Sequence, residues 1–527
     1  MRFISIFNEV IGPVMRGPSS SHTAGSYHLA ALASSLLGEK PVGAEFLFDP
    51  DGSYARCYQT QGSDLAFTAG LLGWPITDDR FPRALALAPV EGLQVEFRVE
   101  KLAGTTNHPN TVHLRLRARS GRSLQAIGQS VGGGAVEITS VQGWPLRLDG
   151  GCHETLIELD EGSEATARVA LEAGQENLTP VQRFERDGRV LLFARRRNPL
   201  AVELRNRLAA LPGGTRLFPG TALSFVKNGP QLFDSAAGMV KFAEQERLWP
   251  GQLAARYEAT LLGLSEREVI AEMARRVDIM VASVRRGLGQ DLPSMQLLRP
   301  TAARIYRADA EGSLAIGGLH TRAAVRAMAA MHVNCGQGVV CAAPTAGSAG
   351  VIPGVLTTLL EEKHVDREQL ALALLVAGAV GVIVAERATF AAEVAGCQVE
   401  IGAAGAMAAA SVVQVAGGTI RQVCDAAAIA FQNTMGSVCD LVQGIVEIPC
   451  HTRNAAAASA ALINADLVLG GYHNPIPLDE TIDAVYAVGL AMPAELRVTS
   501  RGGLAVTPSA QALPKLAGSC ACQGFTT

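Results

Sequence analysis

Apolar positions follow two different periods along this chain, and the change from one to the other divides it. Residues 24–37 are rich in alanine and leucine, as a helix would be, whereas 95–99 and 112–116 alternate apolar and polar side chains like half-buried strands. Residues 1–150 therefore read as an α+β domain. Beyond Gly132-Gly133-Gly134 the pattern changes, and 156–211 reads as a strand, a helix over 164–173, two strands joined near Asp187-Gly188, and a helix over 202–210. That order suits a small βαββα ligand-sensing module occupying 151–215.

From Ser265 onward strand patterns nearly vanish. Residues 266–287, 321–331, 367–386, 404–416 and 479–492 all carry helical periodicity or composition. Residues 263–518 are thus expected to form a mostly α-helical catalytic domain, with 519–527 as a tail. Glycines and prolines interrupt regular patterning between Gly213 and Pro230, which places a linker region at 216–262. The longest apolar run, 370–385, has 16 residues and includes Gly378 and Gly381. It falls short of the roughly 20 that a spanning helix needs, so it reads as a buried helix and no membrane partner is expected.

Composition narrows the function classes. With 527 residues, 48% hydrophobic and 18% charged, the chain can bury a large core and divide into several domains. A net charge of -4 leaves no basic stripe for nucleic acid, so a small polar metabolite is the expected partner. Residues 1–10 lack a positively charged segment followed by a long apolar core, and the ten cysteines follow no disulfide framework. The expectation is a cytoplasmic enzyme with free thiols, and base rates favour a homodimer.

Three groups of residues carry candidate chemistry. Gly17-Pro18-Ser19-Ser20-Ser21-His22-Thr23-Ala24-Gly25 stands immediately before an apolar helix, where hydroxyls and backbone N–H groups suit a carboxylate and His22 suits an acid or base. A single serine would suffice for a cap. The second group, Ala343-Pro344-Thr345-Ala346-Gly347-Ser348-Ala349-Gly350-Val351-Ile352-Pro353-Gly354, is a glycine-rich loop without the lysine of a phosphate-cradling loop. The third comprises Gly396-Cys397-Gln398-Val399-Glu400-Ile401-Gly402, Val438-Cys439-Asp440 and Ile448-Pro449-Cys450-His451-Thr452-Arg453-Asn454. Cys397 and Cys439 are 42 positions apart and Cys450 follows 11 later, which excludes zinc-ribbon and bacterial ferredoxin spacing and leaves free buried thiols open. Three soft ligands at one metal or cluster would leave a position for a substrate. The remaining Cys57, Cys152, Cys335, Cys341 and Cys424, with His28, His153 and His473, read as structural.

In this order the motifs resemble the iron–sulfur-dependent L-serine dehydratases, the L-serine ammonia-lyases that work without pyridoxal phosphate. The likeness spans nearly the whole chain. The Ser-Ser-Ser-His-Thr segment, His108-Pro109-Asn110-Thr111 and Gly132-Gly133-Gly134 resemble the family's β part; the other two groups resemble its α part, and Thr499-Ser500-Arg501-Gly502-Gly503-Leu504-Ala505 resembles its terminal motif. The order implies a fused β–α single chain. The module at 151–215 resembles the ACT-like regulatory domain that some members carry between these parts.

The resemblance implies that Cys397, Cys439 and Cys450 hold a [4Fe–4S] cluster with one iron not bound by cysteine. It implies dehydration and deamination of L-serine to pyruvate and ammonia by β-elimination, with no pyridoxal phosphate. His22 is then the candidate base, with Ser21 and Thr23 beside it as catalytic candidates; Ser19, Ser20, Thr345, Ser348 and Arg453 are candidates for binding the substrate. Two features depart from the family pattern. Asp440-Leu441 stands where Asp-Pro is common, and the tail carries Cys520 and Cys522, either of which could serve as a removable fourth ligand. L-threonine or L-cysteine presents the same carboxylate and α-proton, and a methyl group discriminates by only about 1–3 kcal/mol. A pyridoxal-phosphate lyase and a non-catalytic amino-acid sensor are the readings from other classes.

Overall fold

A computed structural model describes residues 3–102, 108–173, 176–289, 292 and 295–516. The chain divides into two compact units, one made of residues 1–20 together with 229–527 and the other of residues 21–228.

The unit of residues 21–228 holds two sheets. The six-stranded sheet runs in the order Gln94–Val99, Pro41–Phe48, Thr111–Ala118, Ser123–Gly132, Ala135–Val141, Trp144–Leu148. Its first pair is parallel and the rest antiparallel. Alternation is strict where one face meets the core, as in Ser123–Gly132, whose Leu124, Ala126, Gly128 and Ser130 point inward. Helix Gly25–Leu37 lays Leu29, Leu32 and Leu36 on the buried side. Phe46, Phe48, Tyr54, Phe67 and Phe97 form an aromatic cluster beside it, with ring centroids from 4.4 to 6.4 Å apart.

The four-stranded sheet has the order Arg216–Gly220, His153–Asp160, Arg189–Arg196, Gln182–Arg186, antiparallel throughout, with helices Glu161–Glu172 and Val202–Ala209. Ile157, Leu159, Ala167, Leu171, Val190, Leu192, Leu208 and Leu217 close its core. The module is therefore βαββαβ and not the βαββα expected. Its fourth strand lies inside the segment read as linker, where Pro219 and Gly220 mask the strand signal. A proline is compatible with this place because the strand forms the sheet's edge, while Leu217 and Phe218 are buried. The same expected linker also contains helices Ala236–Glu246 and Pro250–Leu262.

The other unit is helical, with Val14–Arg16 and Val339–Cys341 as its two-stranded sheet. Its first residues belong here and not with the α+β domain. Glu258 accepts hydrogen bonds from Ser5 Oγ (2.5 Å), Ile6 N (2.8 Å) and Phe7 N (2.9 Å), and Tyr257 donates to the Ile4 carbonyl at 2.6 Å. The turn Ile6–Val10 lies against helix Arg367–Arg387, where a Cβ on Gly378 would come within 2.3 Å of Ile6 Cγ2. That helix has 21 residues, longer than the apolar run that announces it. With Cys397–Val415 it is long and apolar enough to cross a membrane, yet 78% and 83% of their most apolar windows lie buried inside the protein. Helices Glu266–Gly287, Leu319–Cys335, Val351–Glu362, Ile401–Val415, Ile420–Thr434, Cys450–Leu469 and Leu478–Ala491 pack around this core.

Candidate metal centre and the Ser-His-Thr loop

The helical unit brings distant cysteines together by ending and starting helices around them. Cys397 opens the short turn Cys397–Val399 that leads into Ile401–Val415, and Cys450 is the first residue of Cys450–Leu469. Cys439 sits on an extended stretch, its N–H donating to the Leu496 carbonyl and its carbonyl accepting from Val498 N, both at 2.8 Å. Ligand atoms of Cys397, Cys439 and Glu400 all lie within 4.8 Å of one another. Cys450 is close enough for its thiol to feel both Cys397 and Glu400. The three thiols are free and at most 2% exposed.

The electrostatics of this group point one way. The hydrogen bond to Cys397 and burial push the Cys439 thiol well up; burial, Cys397 and Glu400 do the same to Cys450. Glu400 keeps some surface, but dense protein around it raises its carboxyl to about 7. Buried groups that would each be anionic resist ionisation together unless a cation joins them. Arg453 supplies part of that charge, with Nη1 3.9 Å from the Cys397 sulfur.

Around the cysteines the loops are pinned by side chains. Thr345 Oγ1 donates to Glu400, and a Cβ on Gly347 would lie 2.5 Å from the Glu400 Oε1, so a side chain there would push the Glu400 carboxyl aside. Ser348 Oγ lies 3.3 Å from both Thr345 Oγ1 and the Ala343 carbonyl, which places its hydroxyl inside the loop. Asn454 donates to the Gly347 carbonyl (2.9 Å) and accepts from Gly350 N (3.1 Å), joining the loop to the Cys450 helix. Arg453 was a candidate for clamping a substrate carboxylate or for an ion pair at the helix end; its Nη2 pairs with Asp440 at 2.9 Å and its Nη1 donates to the Val438 carbonyl at 2.7 Å. Asp440 also accepts from Leu504 N at 2.8 Å, and Ser500 Oγ donates to the Leu441 carbonyl at 2.7 Å, so the terminal motif braces the Cys439 segment. Glu447 fastens the turn before Cys450 by accepting from the backbone N–H groups of Gln296, Leu297 and Leu298 at 2.7–2.8 Å. Cys520 and Cys522 lie outside the described residues.

Ser19 and Ser20 end the N-terminal segment of the helical unit, whereas Ser21, His22 and Thr23 open the other unit. The motif is not a simple N-cap. Ser20–Ala24 is itself a wide helical turn continuous with Gly25–Leu37, and Ala24 at the N-cap offers no side-chain acceptor. The neighbouring serines and threonine are used on backbone. Ser26 Oγ (2.5 Å) and Ser63 Oγ (2.8 Å) donate to the His22 carbonyl, Thr23 Oγ1 donates to the Gln61 carbonyl at 2.8 Å, and the Ser21 carbonyl accepts from Ser130 Oγ at 2.6 Å. The His22 ring meets Tyr54 edge-on, centroids 5.5 Å apart, and dense packing lowers its pKa to about 4. At neutral pH it is therefore an uncharged imidazole able to accept a proton.

Sequence reading missed Glu400, Asp440, Asn454 and Glu447 as site residues. Glu400 carried a signal, being the one charged side chain in its apolar stretch and three residues after Cys397.

Comparison with known proteins places these residues in a family. Residues 165–505 match the family described as serine dehydratase alpha chain. The chain is 38% identical over 284 residues to the probable L-serine dehydratase alpha chain of Bacillus subtilis, covering 54% of this chain and 95% of that one. It is 37% identical over 248 residues to the L-serine dehydratase alpha chain of Peptoniphilus asaccharolyticus, covering 47% and 85%. It is also 38% identical over 170 residues to the probable beta chain of the Bacillus subtilis protein, covering 32% and 74%. With Cys397, Cys439 and Cys450 inside the matched span, the chain belongs to the serine dehydratase alpha chain family.

Proposed function

We propose that this chain is an L-serine dehydratase that converts L-serine to pyruvate and ammonia, with a [4Fe–4S] cluster on Cys397, Cys439 and Cys450. The observation that carries the reading is the convergence of the free, buried thiols of Cys397 and Cys439 beside Glu400, with the buried Cys450 thiol interacting with Cys397 and Glu400. The donor set fits such a group: the Cys439 thiol, pushed up by its hydrogen bond to Cys397, and the Cys450 thiol, pushed up by burial, become good ligands when a cation takes up their charge. When bound, a cluster with one iron free of cysteine supplies a Lewis acid for the substrate's β-hydroxyl.

The chain's own residues account for the rest. His22, neutral at physiological pH, accepts the α-proton. The hydroxyls of Ser19, Ser20 and Ser21 bind the substrate carboxylate, and Thr23, donating to Gln61, fixes the turn that presents His22. Thr345 orients the Glu400 carboxyl, and Ser348 sets the shape of the Thr345 loop. Loss of the α-proton and the β-hydroxyl leaves an aminoacrylate, which tautomerises and hydrolyses to pyruvate and ammonia. No pyridoxal phosphate takes part. The βαββαβ module acts as an ACT-like regulatory domain, the enzyme is a cytoplasmic homodimer, and a tail cysteine, Cys520 or Cys522, serves as the removable fourth ligand.

The test is formation of 2-oxo acid by anaerobically prepared protein offered L-serine, L-threonine and L-cysteine separately. Pyruvate from L-serine at the highest kcat/KM is the expected result. Preference for either of the others would move the substrate while keeping the reaction, and no product from protein with its iron intact would overturn the reading.

A further inference from the structure

Ser53, which no motif contains, offers a hydroxyl to the His22 ring. Ser53 Oγ lies 2.8 Å from His22 Nε2. Ser53 is the first residue of the short helix Ser53–Cys57, and its own N–H donates to the Pro109 carbonyl at 2.8 Å. The next residue, Tyr54, meets the ring edge-on and is anchored in the aromatic cluster by stacking on Phe48 with centroids 5.1 Å apart. Ser26 Oγ is 3.2 Å from the Tyr54 hydroxyl and 2.5 Å from the His22 carbonyl, so ring and backbone are held by the same few residues. A side chain restrained from this many sides has one ring orientation, and a hydroxyl on Nε2 accepts where that nitrogen carries the proton and donates where it does not.

We propose that Ser53 is a positioning residue for His22: its Oγ accepts a hydrogen bond from Nε2–H and so holds the lone pair of the neutral ring on Nδ1. The inference rests on the reading of His22 as the base. In the elimination step the α-proton then passes to Nδ1, the Cα–H electron pair forms the new double bond as the β-hydroxyl leaves, and Nε2 keeps its proton and its bond to Ser53. Ser53 touches no reacting atom. Its neighbour Cys57 donates to the Ser53 carbonyl at 3.1 Å, and the Cys57 sulfur, 3.9 Å from Ser53 Oγ, can accept the Oγ proton while Oγ accepts from the ring.

The test uses the full anaerobic chain, with iron and labile sulfide measured in every variant. Ser53→Ala is expected to keep parental iron and a KM for L-serine within about 2-fold, while kcat falls by about 10- to 100-fold as the ring loses its fixed orientation together with its single tautomer. Ser53→Thr restores the hydroxyl and returns kcat to within about 3-fold of the parent. In protein labelled with 15N-histidine, the signal missing from His22→Asn reports the ring directly. It should show Nε2–H in the parent and in Ser53→Thr, and an average of both tautomers in Ser53→Ala. A parental kcat in Ser53→Ala, an unchanged His22 signal, or a Ser53→Thr variant as impaired as Ser53→Ala would overturn the proposal. Full activity in His22→Asn would instead sink the reading of His22 as base, while the tautomer signal would still report whether Ser53 holds the ring.

Discussion

The cysteine group and the His22 loop are both packed into protein, and burial acts on them in opposite senses. In the cysteine group the hydrogen bond to Cys397 and burial push the Cys439 thiol up, and burial and Cys397 push up Cys450, because each would ionise to an anion beside others of its kind, with Arg453 as the nearby cation. At His22 it pushes the imidazole down to about 4, because the penalised form is the cation. One physical cause thus leaves the first region dependent on an added cation to reach its ionised form and the second uncharged at neutral pH. The lesson is that the first should fail when its ligand is lost, and the second should fail only when its own ring is changed.

The largest expected effect follows from that contrast. Cys397→Ala or Cys439→Ala should lose iron and labile sulfide and drop L-serine turnover by at least about 1,000-fold, read by metal analysis alongside pyruvate formation. His22→Asn should cut turnover by about 100- to 10,000-fold while iron content stays parental, which separates the two regions cleanly. If His22→Asn also lost its iron, the independence of the two would be wrong.

Next in size is the brace behind Cys439. Asp440→Ala leaves Arg453 and Leu504 N without their shared acceptor, and breaking such a buried pair costs about 3–5 kcal/mol. The expected readout is a lower melting temperature together with faster iron loss to a chelator. A variant with parental melting and iron retention would show that the terminal motif does not hold this segment.

The smallest effect lies away from both regions, at Glu154 on the four-stranded sheet. This carboxyl is fully buried, with Arg195 Nε 3.7 Å away, and burial together with Asp149 raises it to about 8. A carboxyl raised in the folded state stabilises the fold fully below its unfolded value near 4.5, and that contribution drains away as the pH climbs through 8. Glu154→Gln, neutral at every pH, should therefore melt about 2–4 °C above the parent at pH 8.5 and level with it near pH 4.5. Equal melting at both would return Glu154 to a well-solvated role.

Much of this was legible in the chain before any coordinates, and the exceptions have reasons. Periodicity located the helices at Gly25–Leu37, Glu266–Gly287 and Arg367–Arg387 because each presents a repeating apolar face or a continuous apolar run to the core. It missed Arg216–Gly220 because an edge strand of five residues ending in Pro219-Gly220 carries too little alternation. It placed the Ser-His-Thr segment before a helix correctly and found more hydroxyls there than a cap needs, but not the wide helical turn at Ser20–Ala24, which has no sequence signature of its own. The cysteines were found as separate motifs, yet spacing alone could not join positions 42 and 11 residues apart. Glu400, Asp440 and Ser53 matter through tertiary contacts to Thr345, Arg453 and His22, which no local pattern encodes.

The most direct test of the account is to measure pyruvate formation from L-serine by anaerobic protein before chelation of its iron, after chelation, and after reconstitution with iron and sulfide. The account predicts turnover in the first, its loss in the second with the fold retained, and its return in the third. Turnover that survives complete removal of iron would contradict it.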